Sequence, residues 1–208
     1  MIDIKDTSFF ICLIVLLICL PLHFLSVSHS KLTILFGEQK GDKLGKALGI
    51  ISGWGFFLCL MGLWISPQPI FIIPAFNMKL IILPLLNIPI YLMHIILATP
   101  FIIISIWFGI SGVLATGLEV ADYHKPNKVI RKGIYAKIRH PQYFAAIIAH
   151  IGFSILFAGL FSLLSTPIIV IYNYLISRKE EIELIKEFGK EYEEYKEKVP
   201  MFIPRLRK

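Results

Sequence analysis

Charge is what this sequence has least of. Only 17% of its 208 residues are Asp, Glu, Lys or Arg, whereas 56% are hydrophobic, and a soluble domain typically carries ~25% charged residues. So little charge excludes a water-soluble globule and calls for a second apolar solvent, the lipid bilayer. The apolar excess also excludes a disordered chain. Cysteine is scarce: Cys12, Cys19 and Cys59 sit in apolar runs without CxxC spacing, which excludes a disulfide scaffold and a zinc site and leaves them as small buried hydrophobes. Glycine has no triplet period, so the chain is not collagen-like. Nor is there a GxGxxG turn after a strand, because Gly45, Gly49, Gly53 and Gly55 lie within an apolar run; a Rossmann-type domain is excluded. The net charge of +7 reads as cytoplasmic loops collecting Lys and Arg, not as a nucleic-acid surface.

Long hydrophobic runs are what the sequence does have. A span needs roughly 20 apolar residues, since a helix rises ~1.5 Å per residue across a ~30 Å core. Ser8 to Val27 meets this, and lacks the basic leader and cleavage site of a signal peptide. Lys46 to Ile65 follows, with glycines suited to close helix packing. Pro67 to Leu118 is apolar throughout but broken by six prolines. Pro67 to Asn87 is expected to be irregular or partly helical on the far side. Pro89 to Leu118 is expected to form one kinked span, two spans being the alternative. Gln142 to Ile176 suits a tight hairpin of two helices turning near Gly159 to Ser165. The expectation is an all-α integral membrane protein of about five transmembrane helices. Lys31, Lys40, Lys43 and Lys46 after the first span, and six bases from Lys125 to Arg139, mark both loops as cytoplasmic. Multi-pass topology with an odd number of spans follows. Residues 1–120 read as membrane spans without a motif, and 121–208 as a loop, hairpin and tail. Nothing in the sequence specifies an oligomeric state.

From Arg178 the composition turns abruptly polar, and eight of the fourteen acids fall between Glu180 and Glu197. Leu184, Phe188, Tyr192, Tyr195 and Val199 recur at spacings of three and four, predicting a cytoplasmic amphipathic C-terminal helix with one packed face. The segment Asp122 to Tyr143 holds two His, six bases and three Tyr. Its Arg139, His140, Pro141 and Tyr143 mark a helix start, with Pro in the first turn and free N–H groups able to face an anion. A basic, imidazole-bearing start and an acidic finish therefore meet at one membrane face.

Four motifs lie across this region: GIYxxIRHPxY at Gly133 to Tyr143, EExxL at Glu180 to Leu184, FGxxYxxY at Phe188 to Tyr195, and VPxFIP at Val199 to Pro204. Together they resemble the isoprenylcysteine carboxyl methyltransferase family, part of a wider group with the phospholipid methyltransferases. The chain has Ala145 and Asn127 where relatives often have Gly and His. The resemblance implies a membrane enzyme using S-adenosyl-L-methionine and a lipophilic prenyl or lipid acceptor. It implies a cofactor site of Val129, Gly133, Tyr135, His140, Tyr143, Glu180 and Glu181, with Arg139 and Arg178 as catalytic charges and no metal.

The residue types fit that cofactor on physical grounds. Aromatic faces and carboxylates receive cations, and a His, an Arg or helix N–H groups receive a carboxylate. Each residue also has a plainer reading. His140 is a helix cap, Tyr143 an interfacial anchor, and Glu180 and Glu181 a first-turn dipole partner of the tail helix. Gly133 is a backbone requirement of a turn. His150, near mid-membrane, reads as a neutral histidine hydrogen-bonded within the bundle. Glu119 and Asp122 either face the cofactor region or balance the basic loop. The rival readings are a phospholipid N-methyltransferase, a membrane sterol-type reductase using NADPH, and a non-enzymatic scaffold. The reductase pattern usually continues NYxGE, and the chain lacks that Glu.

Overall fold

Residues 7–74, 78–117 and 128–204 are described in a computed structural model of the chain. Glu119, Asp122, Lys125 and Asn127, singled out above, lie outside the described residues. The first apolar run forms α1 (Thr7–Val27), and a short α2 (His29–Phe36) turns at Gly37 into α3 (Glu38–Ile65). α3 starts earlier than its apolar run because Glu38 to Lys46 are good helix formers apart from Gly41 and Gly45. α1 and α3 pack along their length, with Leu16, Phe56, Leu60 and Leu63 buried between them and against Ile169, Tyr172 and Ile176. Glycines let the two backbones approach: a Cβ on Gly55 would meet Cys19 Sγ at 2.8 Å, and one on Gly62 would collide with Cys12 Sγ.

The proline-rich segment departs from an all-α reading. Lys79–Leu83 (β1) pairs antiparallel with Ile88–Tyr91 (β2). Pro84 and Pro89 bar a helix here, the isoleucines favour extended backbone, and Asn87 takes a positive φ of 52° in the turn. α4 (Leu92–Thr116) then runs as one helix through Pro100, which decides for a single span over two. Among the described residues three helices, α1, α3 and α4, are long and apolar enough to cross a membrane.

The expected hairpin is present as α5 (Pro141–Leu156), a short α6 (Leu160–Leu164) and α7 (Thr166–Phe188), with α8 (Lys190–Lys198) after it. One boundary differs from expectation. No separate tail helix begins near Arg178, since α7 runs straight from its apolar half into its charged half. A change of composition does not interrupt backbone hydrogen bonding. The break comes at Gly189, whose φ of +54° is open to glycine. The far end is tied by Phe71 N donating to Ala158 O and Leu160 N to Pro69 O, both 2.9 Å. At the near end Ser30 Oγ of α2 donates to Glu183 Oε2 of α7 at 2.7 Å. His150 is fully buried, accepting from Trp64 Nε1 at 3.1 Å and facing Ser162 O at 2.9 Å through Nε2. That is the neutral, hydrogen-bonded histidine expected.

The α1–α3 contact yields a direct test. Gly62→Val is expected to lower stability by about 1–3 kcal/mol through overpacking against Cys12, read as a drop in melting temperature in detergent. The double variant Gly62→Val with Cys12→Ala is expected to recover most of it.

Candidate active site

The entry to α5 is built from two backbone strands of contact. Gly133 opens a 3-10 turn (Gly133–Ala136) with a φ of +64°, and it is exposed. The turn seats Ile134 and Ile138 against Phe108 of α4. The chain then runs beside the C-terminal segment, with Arg139 N donating to Pro200 O at 2.9 Å and His140 N to Met201 O at 3.1 Å. Pro141 starts α5 where no N–H is needed.

Four ionisable side chains meet at this junction. Arg139 Nε and Nη2 both donate to Glu181 Oε1, each at 2.7 Å. Its Nη1 donates to Lys196 O at 2.9 Å and also to Val199 O. Lys196 Nζ lies 3.2 Å from Glu181 Oε2 as an ion pair, off the direction of a hydrogen bond. The His140 ring spans both acids, with Nε2 3.3 Å from Glu181 Oε1 and Nδ1 3.4 Å from Glu180 Oε2. Tyr143 donates its hydroxyl to Glu180 Oε1. Arg139, His140, Glu180 and Glu181 are all buried.

Two of the plainer readings do not survive this geometry. His140 occupies the cap position of α5 but makes no side-chain cap bond; its ring is given to the glutamates. Glu180 and Glu181 lie far inside α7 rather than in a first turn, so a helix dipole does not account for them.

Above the ion pairs lies a cavity enclosing about 670 Å³ of space free of protein atoms, part of it open to solvent. Small-molecule sites are typically ~300–1,000 Å³. Of the expected residues, Val129, Tyr135, Arg139, His140, Tyr143 and Glu180 line it. Glu181 sits behind His140, outside the lining. Gly133 shapes the approach without lining the cavity, and Arg178 is exposed and outside it as well. The lining also includes Gln142, Leu184, Tyr192 and Tyr195, which were not assigned to the site. The periodicity that made Tyr192 and Tyr195 a packed face was the signal for them, since they pack on Val129. Tyr195 donates its hydroxyl to Tyr135 O at 2.7 Å.

Charge sets the protonation states. Burial works against His140 as a cation, but hydrogen bonds to Glu180 and Glu181 and their charges outweigh it and hold the ring above its ordinary value of 6.5. Burial would raise the Glu181 carboxyl, but His140 and then Arg139 bring it down to about 2. Burial pushes the phenols of Tyr135, Tyr192 and Tyr195 well up, so they stay neutral donors.

Opposite shifts predict a stability plateau. The His140 contribution is complete below 6.5 and is lost as pH rises through its raised folded value. That of Glu181 is complete above 4.5 and is lost as pH falls toward about 2. Melting temperature against pH should therefore fall on both sides, and His140→Gln should flatten the alkaline side alone. Glu181→Gln leaves Arg139 buried without its counter-ion and should cost roughly 3–5 kcal/mol.

Comparison with known proteins follows the same geometry. Residues 93–191 match the family described as phospholipid methyltransferase. The protein-S-isoprenylcysteine O-methyltransferase of Schizosaccharomyces pombe is 31% identical over 96 residues, covering 45% of this chain and 40% of that protein. A probable protein-S-isoprenylcysteine O-methyltransferase of Oryza sativa subsp. indica is 32% identical over 84 residues, 39% of this chain and 44% of that protein. The methanethiol S-methyltransferase 1 of Bradyrhizobium diazoefficiens is 38% identical over 71 residues, 34% of this chain and 24% of that protein. The chain thus spans less than half the length of these relatives. With the four motifs gathered around one buried ion-pair cluster, and residues 93–191 matched to the wider phospholipid methyltransferase group, the chain belongs to the isoprenylcysteine carboxyl methyltransferase family.

Proposed function

We propose that this chain is a multi-pass membrane methyltransferase that binds S-adenosyl-L-methionine in the cavity above Glu180 and His140. Its acceptor is lipophilic, most simply the carboxylate of an isoprenylcysteine. The observation that carries the reading is the lining itself. One carboxylate (Glu180), a held imidazole (His140), a ring of phenols (Tyr135, Tyr143, Tyr192, Tyr195) and an apolar wall (Val129, Ile130, Leu184) surround one space. The cofactor's amino and sulfonium cations suit Glu180 and the tyrosine faces, its carboxylate suits His140 and Lys128, and its adenine suits the apolar wall. Once bound it supplies an electrophilic methyl group.

The chain's own residues then divide the work. Every donor nitrogen of Arg139 is engaged by Glu181, Lys196 O or Val199 O, so Arg139 acts as a positioning residue that fixes Glu181 beneath His140. Gly133 shapes the turn, and Arg178 contributes from outside the lining. His140, clamped by two carboxylates, favours its protonated form and is poorly suited to take a proton from an ammonium acceptor. A carboxylate needs no base, which favours O-methylation over N-methylation.

Sidedness has support from the packing. The Ser30–Glu183 hydrogen bond puts the lysine-rich α2–α3 turn at the same end as the site, and the bases there favour the cytoplasm. The α5–α6 turn reaches the segment after α3 at the other end through the Phe71 and Leu160 hydrogen bonds. The hairpin therefore matches the depth of α3, which supports five spans.

Incubating the purified chain with methyl-labelled cofactor and N-acetyl-S-farnesylcysteine is expected to give base-labile label, the mark of a methyl ester. Glu180→Ala and His140→Ala should each weaken S-adenosylhomocysteine binding by about tenfold or more, the size of a lost charged hydrogen bond. Failure of the unaltered chain to bind S-adenosylhomocysteine in calorimetry overturns the reading.

A further inference from the structure

Glycine inside a helix costs about 1 kcal/mol relative to alanine, so a mid-helix glycine invites a reason. Gly55 and Gly62 of α3 have one in the cysteines of α1. Gly53 does not: a Cβ there would meet nothing within 4 Å. What Gly53 faces is a second cavity, about 680 Å³ of space free of protein atoms and partly open, between α1, α3, α5 and α7. Its rim residues Trp54 and Phe57 are 61% and 54% exposed on the outer side of α3, where a membrane chain meets lipid. Gln142 and Tyr143 line this cavity and the first one alike, so a single wall separates the two.

One polar group in this apolar chamber is unsatisfied. Asn173 of α7 lines it and has 0% exposure. Its Nδ2 donates to Ile169 O at 2.8 Å, which fixes the orientation of the amide. Oδ1 has no hydrogen-bond partner among the described residues. A buried acceptor left bare is costly, and in a site it points to a donor that arrives with a ligand. We propose that this second cavity is the acceptor chamber. In it Asn173 Oδ1 takes a hydrogen bond from an N–H or O–H beside the reacting group, and the space left by Gly53 holds the acceptor's single hydrocarbon chain. The inference rests on the methyl-transfer reading above and adds to it a specificity residue. It selects lipophilic acceptors that carry a donor at the polar end, as an amide-linked prenylcysteine does.

Two probes of equal chain and charge separate the possibilities: N-acetyl-S-farnesylcysteine, which has the N–H, and S-farnesyl-3-mercaptopropionate, which lacks it. Binding to the full chain in detergent is read from tryptophan fluorescence without cofactor, Trp54 lying at the rim. The first probe is expected to bind about tenfold more tightly than the second. Asn173→Leu should remove that difference by weakening the first probe only. Gly53→Leu, a better helix former that plugs the chamber, should weaken both probes about tenfold. S-adenosylhomocysteine binding should persist in both variants. Equal binding of the two probes, or indifference to Asn173→Leu, overturns the hydrogen bond. Indifference to Gly53→Leu overturns the chamber and leaves the cavity to an ordinary membrane lipid. If the unaltered chain binds no S-adenosylhomocysteine, the proposed function has failed; if it binds and the probes ignore both substitutions, only this inference has.

Discussion

Taking a guanidinium and a carboxylate out of water costs several kcal/mol per ion, and their mutual attraction offsets that only when every donor finds an acceptor. Arg139 and Glu181 meet this condition at 9% and 1% exposure. The acceptors Arg139 uses come from three places in the chain: the Glu181 side chain of α7, the Lys196 carbonyl at the end of α8, and the Val199 carbonyl beyond it. One side chain thus holds together segments some 40 to 60 positions apart in sequence. The backbone follows, since Arg139 and His140 give their own N–H groups to Pro200 and Met201. Remove the pair and the entry to α5 has no fixed position relative to α7.

The rest of the site is referenced to that bond. Oε1 of Glu181, already held by Arg139, sets where the His140 ring lies, and the ring's other nitrogen points at Glu180, which holds the Tyr143 hydroxyl. α7 makes this possible by being continuous. Its first half is buried against α1 and α3 through Ile169, Tyr172 and Ile176, with Phe56 and Tyr172 stacked at 4.6 Å. Its second half carries Glu180, Glu181 and Glu183 on the same side. Anchoring the helix in the apolar core fixes the height and rotation of its acids. Asn173, Ser177 and Glu181, four residues apart, lie on one face and lead from the apolar interior to the ion pair.

How much of this was legible in the sequence depends on the range of the interaction that decides it. α1, α3 and α4 follow from apolar length, which is local. The packed face of α8 follows from the spacing of Tyr192, Tyr195 and Val199. The β1–β2 pair was not legible, because an apolar run cut by prolines shows what it cannot be rather than what it is. The supposed start of a tail helix at Arg178 mistook a change of solvent for a change of backbone; the glycine at 189 was the true punctuation. The motif residues Tyr135, His140, Tyr143 and Glu180 converge as expected. What Arg139 does was invisible, because its partners are set by tertiary packing and the sequence shows only a basic residue in a basic loop. Arg178, of the same type and in the same charged setting, is exposed.

The two cavities differ in what fixes their walls, and that difference parallels the pattern of similarity. The first is lined almost wholly by residues within 93–191, the segment matched to the family, and its polar groups are locked to one another by ion pairs. A wall of this kind tolerates little change, as suits a ligand that stays the same from one relative to the next. The second takes His23, Gly49, Ile50, Gly53, Trp54, Phe56 and Phe57 from α1 and α3, outside that segment, and only Gln142, Tyr143, Ala146 and Asn173 from within it. Apolar walls are held by packing, which accepts changes of size that keep total volume. A chamber of that kind can be recut for a different hydrocarbon without disturbing the ion pairs next door. The constraint falls on Tyr143 and Gln142, which face both ways. Tyr143 is tied by its hydroxyl to Glu180 on one side while its ring borders the apolar space on the other, so any change in acceptor that moves the ring also moves the carboxylate.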